Sequence, residues 1–135
     1  MTRERGTVRR EVRIACAPDE VWAVVGDPIR LPEWFPGIVE CTVDGDTRVI
    51  TTGSGIPIPE QILTVDSIQR RFQYRITSAI VREHLSTIDV IDLGDDTSLL
   101  VYAVDADPST MALIIGGAAG NAINHLREML EGAPG

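Results

Sequence analysis

Four polar residues stand in strand rows that are otherwise apolar, and acid–base chemistry is expected there. Glu60 shares a row with Ile58 and Ile62, and Tyr74 with Phe72 and Ile76. His84 and Ser86 share a row with Ile88 and Val90. Alternate strand residues point to one face, so an apolar row turned to the core carries its polar members inward. A buried carboxyl has a raised pKa, and an imidazole titrates near neutrality. Glu60, Tyr74 and His84 are therefore the candidate catalytic residues, and with Ser86 they are candidate ligand contacts. In the last strand candidate, Leu99, Val101 and Ala103 form one row that ends in Asp105. This reading turns Val101 toward the pocket, leaves Asp105 exposed and puts Tyr102 on the outer face.

A second group of candidates is defined by size. The stretch Ile114-Ile115-Gly116-Gly117-Ala118-Ala119-Gly120-Asn121 lies inside a helical pattern. Glycine within a helix costs up to about 1 kcal/mol relative to alanine, so three of them imply a need for small side chains. Room for a ligand beneath the helix is one reason, with Ile114, Gly117, Ala118 and Asn121 as contacts. Close packing on a sheet and a kink at Gly116-Gly117 are the others. Trp34 and Phe35, between Pro32 and Pro36, read either as a lid over the cavity or as a plug at one end of the sheet.

Other chemistries find no residues. Gly53-Ser54-Gly55 lacks the lysine and the following helix of a phosphate loop and reads as a hairpin. His84 and His125 show no zinc spacing, and His125 reads as a surface residue. No nucleophile elbow is present. Cys16 and Cys41 fit no metal or redox motif and read as reduced thiols. Neither a metal nor a cofactor is expected. The net charge of −8 argues against nucleic acid as a partner. The early basic run, Arg3, Arg5, Arg9, Arg10 and Arg13, is broken by Glu4 and Glu11 and reads as a solvated strand face. The longest apolar stretch, Met111 to Ala119, falls short of the roughly 20 residues that span a bilayer. A cytoplasmic protein is expected, as a monomer or a homodimer.

The elements that must position these residues follow from periodicity. Thr7 to Ala15 alternates as a strand, with Val8, Arg10, Val12 and Ile14 in one row. Ala17-Pro18-Asp19-Glu20 opens a short helix whose buried stripe is Val21, Trp22, Val24 and Val25. A second short helix spans Ile29 to Phe35. Six strands follow, over 38–43, 48–52, 58–66, 71–77, 83–93 and 98–105, separated by turn residues. A long helix runs from Pro108 to Leu130, with Asp107 as N-cap and a stripe of Met111, Ile114 or Ile115, Ala118, Ala122, Leu126 and Met129 or Leu130. An antiparallel sheet needs its apolar face covered, and only this helix is long enough. The fold class is α+β: a helix-grip fold in a single domain over 1–135. Its curved seven-stranded antiparallel sheet wraps a long C-terminal helix, and two short helices follow the first strand.

In Ala17-Pro18-Asp19-Glu20-Val21-Trp22, Asp27-Pro28, Leu31-Pro32-Glu33-Trp34-Phe35-Pro36-Gly37, Glu60-Gln61-Ile62, Asp66 and Arg71-Phe72-Gln73-Tyr74-Arg75-Ile76, the chain resembles a known superfamily. This is the START-related, birch-pollen-allergen-like (SRPBCC) superfamily, and the resemblance is to its bacterial polyketide cyclase/dehydrase-like branch. It implies a deep cavity between sheet and helix that holds lipids, polyketides or other small hydrophobic molecules. Three functions stay open: a carrier without catalysis, a cyclase or dehydratase using Glu60, Tyr74 and His84, and an accessory protein acting through a protein partner. Ionisable groups converging in one pocket would favour the enzyme, and an all-apolar lining the carrier.

Overall fold

The computed structural model describes residues 4–132. Seven strands form one sheet: β1 (Gly6–Ile14), β2 (Ile38–Asp44), β3 (Thr47–Thr52), β4 (Pro57–Asp66), β5 (Arg71–Ile76), β6 (Glu83–Gly94) and β7 (Thr97–Asp107). Their order is β1-β7-β6-β5-β4-β3-β2, and each neighbouring pair is antiparallel. Between β1 and β2 lie α1 (Pro18–Val25), a 3-10 turn (Pro28–Arg30) and α2 (Leu31–Trp34). The chain closes with α3 (Ser109–Glu131). The expected helix-grip fold class is met, with the second short helix, expected over Ile29 to Phe35, divided into the 3-10 turn and α2. Of the basic run, Arg9, Arg10 and Arg13 are exposed on β1 as expected, and Arg3 lies outside the described residues.

The helix α3 packs chiefly on β1 and β7, at one edge of the sheet. Its buried face is Ala112, Gly116, Ala119, Ala122, Ile123 and Leu126. The expected stripe meets this face only at Ala122 and Leu126. The larger residues Met111 and Ile115 are half-buried, and Ile114, Ala118 and Met129 are exposed. Small side chains are what allow the helix to lie close to a strand. A Cβ added at Gly116 would stand 2.5 Å from Val8 Cγ1, and one at Gly120 would stand 3.2 Å from Arg10 Cδ. Close packing therefore explains Gly116 and Gly120, whereas nothing lies within 4 Å of a Cβ at Gly117. The three glycines should respond differently to alanine. Gly117→Ala is expected to stabilise by up to about 1 kcal/mol through helix propensity alone. Gly116→Ala should instead destabilise by about 1–3 kcal/mol, because the stiff Val8 side chain cannot move aside. Gly120→Ala should fall between, because the Arg10 stem can swing away. Urea denaturation of the three variants checks the order.

Four other local expectations are corrected. Pro108, not Asp107, is the N-cap of α3, without a side-chain cap. Asp107 is instead drawn into an ion pair with Arg82, 2.6 Å away. Trp22 is half-buried rather than core, with its indole lying over Gly26, where a Cβ would meet Cε2 at 2.5 Å. Tyr102 is fully buried. In β7 the inward row is Ser98, Leu100, Tyr102, Val104 and Ala106, and Val101 faces outward between Glu11 and Asp89. Both rows of β7 carry apolar residues, so alternation alone does not say which one faces the core, and the pairing register decides it.

Candidate functional site

Because α3 is seated at the β1–β7 edge, the remaining strands curve away from its N-terminal half. A cavity of about 300 Å³ lies in the gap. The sheet contributes Ile50, Ile58, Glu60, Tyr74 and Ile76 to its wall, and α3 contributes Met111, Ile114, Ile115 and Ala118. Phe35, Pro36 and Gly37, which follow α2, complete the lining together with Leu31, Ile38, Thr52 and Ile80. Ile80 and Ile114 are largely exposed and form the rim, whereas Glu60 and Tyr74 are buried at the closed end. Among the described residues, Glu60 and Tyr74 are the only ionisable groups on this wall.

Glu60 owes its place to an unanticipated partner. Arg48 on β3 pairs in register with Glu60 on β4, and both side chains are 2% exposed. Arg48 Nε donates to Glu60 Oε1 at 2.7 Å, and Nη1 donates to the Pro28 carbonyl at 3.1 Å. The guanidinium carbon lies 4.9 Å from the centre of the Tyr74 ring and 5.3 Å from that of Phe72. Arg48 Nη2 is buried without a hydrogen-bond partner among the described residues. Burial pushes the Glu60 carboxyl above the ordinary carboxylate range, and Arg48 pulls it back only in part. A signal for Arg48 was present in the sequence. It alternates with Ile50 and Thr52, and it stands opposite a carboxylate in the next strand's apolar row.

A chain of hydrogen bonds backs Tyr74. The backbone N–H of Ile76 donates to His84 Nδ1 at 2.8 Å, which leaves the imidazole proton on Nε2. Nε2 lies 2.8 Å from Ser86 Oγ. Ser86 is paired with Tyr74 in register. The Tyr74 hydroxyl also meets that of Tyr102. Burial lowers the His84 pKa to about 4, only partly opposed by Asp105. Burial, with the nearby Glu60 carboxylate, pushes Tyr74 up to about 12, and burial drives Tyr102 well above the usual phenol range.

The sequence candidates separate accordingly. Glu60, Tyr74, Phe35, Ile114 and Ala118 line the cavity. His84 and Ser86 face inward as expected, but they stand behind Tyr74 rather than on the wall. Trp34 is buried, packs against Phe35 and Tyr102, and plugs the end of the sheet without reaching the cavity. Gly117 and Asn121 are exposed on α3 and do not line the cavity, because the helix is rotated toward β1. Val101 is on the far side of the sheet. His125 is exposed. Asp105 is half-buried and pairs with Arg5 at 3.7 Å, contrary to the expected exposure. Cys16 and Cys41 are free thiols. Among the described residues, no group of three His, Cys, Asp or Glu side chains is placed to hold a metal. No helix among the described residues is long and apolar enough to cross a membrane.

Comparison with known proteins places this geometry in context. The family model described as polyketide cyclase/dehydrase and lipid transport matches residues 5–133. The protein XoxI from Bacillus cereus shares 24% identity at a TM-score of 0.86, over 92% of this chain and 94% of that one. Norcoclaurine synthase from Thalictrum flavum, solved with dopamine and hydroxybenzaldehyde, shares 17% identity at a TM-score of 0.74, over 97% and 89% of the two chains. A START superfamily protein from Mycobacterium smegmatis shares 18% identity at a TM-score of 0.71, over 93% and 94%. These likenesses establish the shared fold. No curated protein matches the chain.

Proposed function

The chain belongs to the polyketide cyclase/dehydrase and lipid transport family, and from that premise we propose that it binds a small hydrophobic, lipid-like or polyketide-like molecule between its sheet and α3. The observation that carries this reading is the cavity of about 300 Å³, largely apolar with a buried polar end. That is the usual make-up of a small-molecule site: apolar walls supply affinity, and a few placed polar groups fix orientation. A ligand would be apolar over most of its surface and would enter past Ile80 and Ile114.

Native mass spectrometry of protein purified from its own host, followed by organic extraction, tests the proposal. A co-purifying hydrophobic molecule is the expected result. Clean apo-protein that also takes up no apolar probe would overturn it. The location is tested by Ala118→Trp, which places an indole at the mouth from an exposed helix position. Binding of an apolar fluorescent probe should weaken by at least about tenfold, equivalent to about 1.4 kcal/mol, with the unfolding midpoint nearly unchanged. Unaltered binding would put the ligand elsewhere.

A second reading is favoured by the convergence of Glu60 and Tyr74 on one cavity. With Glu60 as proton acceptor and Tyr74 as donor, the protein would be an acid–base enzyme of the cyclase or dehydratase type. His84 would take no proton directly from a ligand here, because it stands behind Tyr74. Conversion of the extracted molecule by the wild type, and its loss in Glu60→Gln with binding retained, is the expected signature. If the molecule is unchanged by the wild type, the carrier reading stands alone.

A further inference from the structure

The first strand has one side without a neighbour. β1 stands at the end of the sheet order and pairs with β7 along its whole length, Gly6 to Ile14. In an antiparallel ladder, alternate residues of an edge strand turn their N–H and C=O groups away from the sheet. On β1 these groups face outward along about 30 Å of backbone. The helix α3 covers the inner face of β1 and leaves this rim open. Arg10 stands in the inward row with Val8 and Val12, yet it is exposed: its stem passes Gly120 and its guanidinium emerges beyond the helix. Among the described residues, the side chain that bonds to the β1 backbone is Arg10 itself, Nη1 donating to the Arg9 carbonyl at 3.3 Å.

The rim is positive, on a chain whose net charge is −8. Elsewhere the arginines are matched to acids: Arg30 to Glu33, Arg48 to Glu60, Arg70 to Asp19, Arg71 to Asp89, and Arg82 to Glu4 and Asp107. Among the described residues, Arg10, Arg13 and Arg127 have no carboxylate within ion-pair distance. The fold gathers these three. Gly116 lies against Val8 and Gly120 against Arg10, so α3 runs alongside β1 in the same direction. Arg127 is on the helix row of Gly120, two turns on, which sets it beside the Arg13 end of the strand. The carboxylates of this junction are already engaged: Glu11 faces Arg9 at 3.9 Å, and Glu131 accepts from the Ala15 N–H at 2.8 Å. Arg75 also lacks an acid, but it bonds to Gln61 on β4, away from the rim.

We propose that the open rim of β1 receives an acidic, extended segment of a partner protein as an added strand, its backbone pairing with β1 and its carboxylates with Arg10, Arg13 and Arg127. A second copy of this chain does not fit, because two β1 edges would set arginine against arginine. Charge on an edge strand is a common guard against such self-pairing, and an opposite charge passes that guard. A nucleic acid carries its phosphates beyond the reach of one strand, and there it meets the acidic remainder of the chain. An acidic strand ends where the arginines end. Binding at this rim is independent of what the cavity holds.

The test uses a blocked peptide of alternating glutamate and threonine, as long as β1, titrated into the intact protein at low salt. Three probes of the same length accompany it: alternating glutamate and proline, alternating lysine and threonine, and oligothymidylate. Fluorescence anisotropy gives the affinities, and amide correlation spectra give the location. The glutamate–threonine peptide should bind, shift the β1 amides most, and slow the exchange of those on the open side by at least about tenfold. Added salt should weaken it. Arg10→Gln with Arg13→Gln should weaken it about fivefold to tenfold, with the unfolding midpoint nearly unchanged. The proline peptide has the charge but lacks half of the N–H donors, and it should bind at least about tenfold more weakly. The lysine peptide should not bind. The proposal is overturned if the glutamate–threonine peptide leaves the β1 amides unmoved at millimolar concentration, or if the proline peptide binds equally well, which would mean attraction without strand pairing. Tighter binding of oligothymidylate would overturn it in favour of a nucleic-acid surface.

Discussion

Arg48→Met is expected to destabilise the domain by about 3–5 kcal/mol, because it removes one member of a fully desolvated ion pair and leaves the other behind. Arg48 and Glu60 are each 2% exposed, and the pair is held at 2.7 Å. Loss of the guanidinium also frees the Pro28 carbonyl and strips the faces of Phe72 and Tyr74 of the cation that covers them. Glu60 can limit the damage by taking up a proton, so the loss should be larger at pH 8 than at pH 5. The double replacement Arg48→Met with Glu60→Leu should recover most of the stability, since an apolar pair removes both desolvation costs. Urea denaturation of the two single variants and the double variant closes the cycle. Independent, additive effects would mean that the pair is not the coupled unit described above.

The second large effect is on pH dependence. His84 is neutral in the folded state, with a pKa lowered to about 4, and near the ordinary 6.5 when unfolded. Between those values the unfolded chain binds more protons, so stability rises with pH across the window. The contribution is fully present above about pH 6.5 and is lost as the pH falls through about 4, a change on the order of 3 kcal/mol. Glu60, whose folded pKa is raised, acts in the opposite direction and masks part of this. The comparison that isolates the imidazole is wild type against His84→Gln. An amide can still accept from the Ile76 N–H and donate to Ser86, but it does not titrate. The gap between the two stability curves should narrow by that amount as the pH is lowered from 7 to 4. Curves that stay parallel would show that His84 does not titrate with folding.

The fold was legible because each element carried its own signal. Pro18 opens α1, turn residues separate the strands, and only one segment has the length and periodicity to cover the sheet. Glu60, Tyr74, His84 and Ser86 were legible as polar residues in apolar rows. Arg48 was overlooked because an arginine beginning a short strand is ordinarily exposed, and its burial depends on a pairing register that one strand does not disclose. Val101 and Tyr102 exchanged sides for a related reason: both rows of β7 are apolar enough to face a core. Gly117 and Asn121 were misplaced because the small residues of α3 serve contact with β1 rather than ligand room. The angle of a helix about its own axis is set by that contact and not by its own periodicity.

The strand order bears on how this molecule is made. The first strand pairs with the last, Gly6 against Ala106, and α3 then packs on that junction. On the ribosome β1 must therefore wait for β7 and α3, which follow it by about ninety residues of chain order. Until then β1 has neither its neighbour nor its cover, and Val8, Val12 and Ile14 remain open to water. Contacts so distant along the chain slow folding, and a nascent chain halted before α3 presents an apolar, unpaired strand to its surroundings. The same closure that shelters the cavity in the folded domain makes its synthesis a period of exposure, ended only when α3 arrives.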